Sequence, residues 1–156
     1  MTTTVDAAAE VDAALGRLSE ALDGISDGDL HRAHSAGGWS VAGVISHMNV
    51  CTIIWLGDMM RLINDPDLRF FYREEIGHDC IGYPPPTLEV AQGQLASTRR
   101  TLATCLPAMS DELLARPVEI PDLGTMTVAE WTPIIIGHLT GHVDQAFEIL
   151  RNREVL

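Results

Sequence analysis

The 156-residue sequence has no lysine; all ten of its basic residues are arginine. That excludes Schiff-base and lysine-nucleophile chemistry. Otherwise it reads as the codon bias of a GC-rich genome, since surface Lys and Arg interchange freely away from bidentate sites. Cysteine is scarce as well. Cys51, Cys80 and Cys105 are widely spaced and form no CxxC pair, which implies neither a disulfide framework nor a cysteine zinc site. Positive charge is short, with ten basic against 22 acidic residues for a net charge of −12. Nucleic-acid and anionic-membrane surfaces need clustered Lys and Arg to displace counterions, so neither is an expected partner. No apolar run reaches the roughly 18 residues of a membrane span. The first residues, "MTTTVDAAAEVDAAL", carry acids where a secretory signal has a basic region. The expectation is a cytoplasmic protein with a single domain over residues 1–156.

Strand signals are weak, and four segments carry helical periodicity instead. The first stripe is Thr4, Ala8, Val11, Leu15, Leu18, Leu22 and Ile25; the second is Val41, Val44, Ile45, Met48, Trp55, Leu56, Met59 and Leu62. Steps of three and four mark each as a bundle helix. Ser40 is placed to cap the second helix and Thr87 the third, whose stripe is Leu88, Ala91, Leu95, Thr98, Leu102 and Cys105. The fourth opens on "TVAE", a capping box of Thr127 and Glu130, and runs to Leu150 with Pro133 inside it. These segments predict an all-α fold, a four-helix bundle of two helical hairpins with one long crossover, residues 65–86, between helices 2 and 3. The halves also echo each other: "ISDGDLHRA" answers "MSDELLARP", and "WSVAGVISH" answers "MTVAEWTPIIIGH".

That repeat draws attention to histidine. His138 and His142 stand four apart, which puts both on one helix face, and the stripe pattern places that face toward the interior. Two buried imidazoles each need a hydrogen-bond partner, at a cost of about 1–3 kcal/mol if they lack one. A metal ion meets that need, and His47 on the second helix can reach the same ion. Three neutral imidazoles suit zinc with an open fourth position, and equally nickel or ferrous iron. A pair of satisfied core histidines is the competing reading. "HLTGH" has Leu139 where a zincin carries its glutamate base, so the metalloprotease motif fails. A di-iron site fails too, because the one Glu-x-x-His pair, Glu75 and His78, lies in the Gly-rich loop.

At these residues the chain resembles the DinB-like superfamily of metal-binding four-helix bundles, which includes mycothiol- and bacillithiol-dependent transferases and the maleylpyruvate isomerase. "GWSVAGVISHM" is similar to the family's Trp-Ser and His pattern at helix 2, and "HLTGHVDQ" to its His-x-x-x-His-x-x-Gln in helix 4. The resemblance implies His47, His138 and His142 as the metal triad and Gln145 as a residue beside it. It also implies a divalent ion (zinc, nickel or iron) that activates a low-molecular-weight thiol or water against a small electrophile, and a possible homodimer. A non-catalytic metal- or small-ligand-binding stress protein is the alternative.

Four further residues are candidates for the site. Cys51, one turn past His47, is a fourth ligand, a redox-sensitive thiol or a small core residue. Asp58 continues that face and either orients a ligand or is an ordinary helix acid. Trp131, like Trp39, either walls a pocket or packs the core. In the crossover, "FFYREEIGHDCIGYPPP" is either a lid over the metal or an anchor. His31 and His34 are expected as solvated linker residues.

Overall fold

Each apolar stripe becomes a long helix in the computed structural model of the chain, which describes residues 3–33, 38–65, 67–68, 86–120 and 123–152. In chain order the elements are α1 (Thr4–Ala21), α2 (Asp27–His31), α3 (Val41–Asn64), α4 (Leu88–Cys105), α5 (Asp111–Leu114), β1 (Pro117–Ile120), β2 (Gly124–Thr127) and α6 (Val128–Arg151). Local chemistry sets the helix starts. The Ser40 hydroxyl accepts the Gly43 N–H and the Thr87 hydroxyl accepts the Val90 N–H. Thr127 and Glu130 close the expected capping box at the start of α6, and Thr3 with Asp6 closes another at α1. Each such cap satisfies helix-end amides that would otherwise lack partners. Helix α6 continues through Pro133, which removes one intrahelical bond.

The chain is a four-helix bundle, but its long helices pair differently from two hairpins. Helix α1 packs on α4 and α6, and α3 packs on the same two. The bundle therefore runs α1–α4–α3–α6 around its axis, and the consecutive helices α1/α3 and α4/α6 face each other across the diagonal. A diagonal crossing must span the end of the bundle, so the links at 22–40 and 106–127 are not short. Each holds a serine-capped helix, α2 behind Ser26 and α5 behind Ser110. These are the two echoing segments, and exchanging α1 with α4 and α3 with α6 preserves the neighbour pattern. Most of the crossover, with Phe70, Phe71, Tyr72, His78 and Tyr83, lies outside the described residues, as does His34.

A β-hairpin in the second link was not anticipated. Val118 and Ile120 of β1 point into the core while Pro117 and Glu119 stay exposed, and Gly124 opens β2 with φ +80°. Four-residue strands with one inward pair leave too faint an alternation to stand out. The hairpin is tied down at both ends. Arg116 donates to the carbonyls of Leu62 and Asp65 at the end of α3, and its own carbonyl accepts the Val128 N–H.

One core joins these elements. Leu15, Leu18 and Leu22 meet Leu95 and Leu102 from α4 and Leu139, Val143 and Ala146 from α6. Helix α3 is long and apolar enough by length and composition to cross a bilayer, contrary to the reading of its apolar run, yet most of that window is buried in the bundle. On the α1–α4 seam Arg99 holds both oxygens of Asp12, at 2.9 and 3.1 Å. Gly16 lets the guanidinium lie across α1, because a Cβ there would sit 3.2 Å from its nitrogen. His31, exposed in the first link, is not merely solvated: its ring nitrogens face the carbonyls of Asp27 and Pro86 at 2.8 and 2.9 Å. With Asp27 accepting the Leu88 N–H, it staples α2 to the start of α4.

Candidate metal centre

The packing of α3 against α6 brings His47, His138 and His142 together. The Nε2 of His138 lies 3.2 Å from the Nε2 of His47 and 3.2 Å from the Nε2 of His142. An imidazole nitrogen directs one lone pair or one N–H in the ring plane, so His138 can make only one in-line hydrogen bond there. Two nitrogen neighbours at equal distance are what a shared cation would hold. Bonds of about 2.0–2.1 Å at a tetrahedral angle put ligand nitrogens about 3.3–3.4 Å apart. The observed spacing is close to that, so the donors present fit a divalent ion.

Burial differs across the three rings, and here the structure corrects the sequence reading. Leu139 and Val143 occupy the middle of the buried face of α6, while His138 and His142 lie at its margin, half-buried beside exposed Gly137 and Gly141. Each residue advances the helix by 100°, so one step off Leu139 leaves the core centre for its edge. His47 is the buried one at 5% exposure. The cluster thus has one donor from inside the bundle and two from its rim.

The neighbours settle most of the remaining candidates. His142 Nδ1 donates to Gln145 Oε1 at 2.8 Å, which leaves Nε2 as the lone-pair nitrogen, the usual arrangement beside a metal ligand. Trp39 meets His47 edge-on, with ring centroids 4.7 Å apart, and stacks on His142 at 5.8 Å with the planes 2° apart. Trp131 does not line this site. It is buried and packs edge-on against Trp55 at 6.1 Å in the core. Antiparallel packing explains the difference: seven residues before His138 on α6 lies opposite eight residues after His47 on α3, two turns away from the rings. Asp58 pairs with Arg61 at 3.1 Å; burial raises its carboxyl and the Arg61 charge opposes that rise.

Cys51 does reach the cluster. Its Sγ lies 3.4 Å from His47 Nε2, and the donor atoms of His47, Cys51 and His138 all lie within 4.8 Å of one another. Burial pushes the thiol up to about 11, as expected for a cysteine taken out of water without a neighbouring cation. What sequence reasoning underrated was Trp39. The one available signal was its place directly before the Ser40 cap, which turns its ring back over the first turns of α3.

Comparison with known proteins agrees with this architecture. Residues 10–146 match the DinB superfamily. Among solved structures, YfiT from Bacillus subtilis superposes with a TM-score of 0.72 at 14% identity, covering 97% of this chain and 87% of its own. YfiT is described as a probable metal-dependent hydrolase with an unusual four-helix bundle topology. No curated protein matches the sequence. The match spans both long-helix pairs and every histidine of the cluster, and the chain belongs to the DinB superfamily.

Proposed function

We propose that the chain is a divalent-metal-dependent enzyme in which His47, His138 and His142 hold one zinc, nickel or iron ion. A low-molecular-weight thiol or water would be activated there for transfer to, or hydrolysis of, a small electrophile. The observation that carries this reading is the double 3.2 Å approach of Nε2 atoms on His138. Such an ion supplies Lewis acidity and keeps a coordinated thiol or water deprotonated near neutral pH.

The chain's own residues prepare the site for that role. Gln145 fixes the His142 tautomer. Trp39 limits the rotation of two of the rings and keeps bulk water off one side. The half-buried position of His138 and His142 gives a small molecule access from the rim. The hydrolytic branch gains support from the description of YfiT, and the thiol branch from the thiol-dependent transferases among the members of the family that "HLTGHVDQ" resembles. Net charge of −12 favours a small-molecule partner over nucleic acid. A cytoplasmic location and a homodimer belong to the same proposal, checked by fractionation and light scattering.

Mass-spectrometric metal analysis of untagged protein tests the site. Removing all three histidines together should abolish the bound metal, and unchanged content would overturn the assignment. A second reading, a metal- or ligand-binding protein without turnover, is favoured by the donor chemistry: among the described residues the mutually close group contains no carboxylate to act as a base. Turnover with a panel of cellular thiols and electrophiles separates the two, since only an enzyme loses a measured rate on His138→Ala.

A further inference from the structure

Cys51 stands one turn after His47, so both side chains leave the same face of α3. Its sulfur is 3.4 Å from Nε2 and 3.7 Å from Nδ1 of that ring. Near-equal distances to both ring nitrogens put it off each in-plane lone-pair direction, so neither approach is an in-line S–H···N bond. Zinc–sulfur and zinc–nitrogen bonds of about 2.3 and 2.0–2.1 Å at a tetrahedral angle place sulfur about 3.6 Å from a ligand nitrogen. The Cys51–His47 Nε2 distance comes within about 0.2 Å of that edge, and a turn of the His47 ring on ligation would aim its Nε2 lone pair at an ion that the sulfur also reaches. The third edge closes within 4.8 Å, and His142 stands outside this mutually close group.

We propose that the protein carries two overlapping donor sets sharing the His47–His138 edge, with the Cys51 thiolate taking the place of His142 when the ion is thiophilic. Harder ions take the three-nitrogen set and softer ones the set with sulfur, because a thiolate gains most with a polarisable cation. On ligation the S–H bond is replaced by a sulfur–metal bond and the proton passes to solvent. The inference rests on the proposed function in one respect, that an ion binds at His47 and His138.

Cadmium and nickel titrations of the untagged, full-length protein test it, each variant being checked first for helical circular dichroism. With Cd²⁺, a thiolate-to-cadmium charge-transfer band in the ultraviolet is expected for the wild type and for His142→Ala, and is expected to vanish in Cys51→Ser and His138→Ala. With Ni²⁺, His142→Ala should weaken binding by about tenfold or more while Cys51→Ser changes it by less than about twofold. If Cys51→Ser loses its helical signal, Cys51→Ala carries the same comparison. A band that persists without Cys51 assigns the sulfur elsewhere and overturns the proposal while leaving the histidine site intact. Loss of the band in His142→Ala makes His142 a co-ligand and also overturns it. Failure of either metal to depend on His138 overturns both readings together.

Discussion

Replacing Gln145 by alanine isolates the least conspicuous part of the site. Its Oε1 accepts the hydrogen bond that sets which nitrogen of His142 carries the proton, at 2.8 Å and from the same helix. Without it the ring can turn, and the proton can move to Nε2, the nitrogen that faces His138. Removing such an outer partner costs about 10- to 100-fold in metal affinity, or roughly 1.4–2.7 kcal/mol. The lower half of that range applies here, because both residues are half-buried and water can replace part of the lost bond. Folding should be almost untouched: alanine is the better helix former, and the exchange leaves no buried group unpaired.

The assay is competition between protein and a chelator for Ni²⁺, with an unfolding curve for each variant. Gln145→Ala should bind nickel about 10- to 30-fold more weakly, while Gln145→Glu retains or exceeds wild-type affinity because a carboxylate accepts more strongly than an amide. Nickel affinity unchanged in Gln145→Ala would refute the idea that His142 is a ligand held by Gln145. A glutamate variant weaker than the alanine variant would refute the tautomer argument itself.

Three further outcomes follow from the bundle. Leu15→Ala, at a fully buried position, should destabilise by about 2–5 kcal/mol in urea titration, whereas Ile53→Ala, 61% exposed, should stay within about 0.5 kcal/mol. Thr127 hydrogen bonds hold the Glu130 carboxyl below the usual carboxylate range. A depressed folded pKa gives stability that is present above the unfolded value and lost as pH falls through the folded one, so Glu130→Gln should flatten the melting temperature's decline on acidification below about pH 4. Trp55 Nε1 is buried with no hydrogen-bond partner among the described residues, which carries a desolvation cost of about 1–3 kcal/mol. Trp55→Phe removes that cost along with part of the ring, and calorimetry should show a loss below the roughly 3–5 kcal/mol of a Trp→Ala truncation.

How far the sequence could be read depended on the range of the interaction concerned. Caps at Ser40, Thr87 and Thr127 are legible because donor and acceptor lie three residues apart. Helix stripes are legible because one period repeats over about five to seven turns. The diagonal arrangement is not, because each helix shows one apolar face and nothing local says which two neighbours share it. Link length held the only clue, since 19 or more residues between helices is generous for a hairpin. The His-x-x-x-His spacing placed His138 and His142 on one face but overstated their depth, because the true stripe centres on Leu139 and Val143 and borrows Val128, Trp131 and Thr132 from the first turns.

That error in depth and the error in topology share a physical cause. Had α4 and α6 formed a hairpin, one margin of α6 would have faced α4. It lies between α1 and α3 instead: Leu139 and Val143 fill the axis while the margin carrying His138 and His142 closes on α3. Rings at that seam meet His47 without themselves entering the core, so only one of the three polar side chains is taken from inside the bundle. The same seam explains why Cys51 is within reach and Trp131 is not. Residues one turn from His47 share its height along the antiparallel pair, and residues two turns away belong to the Trp55–Trp131 layer below.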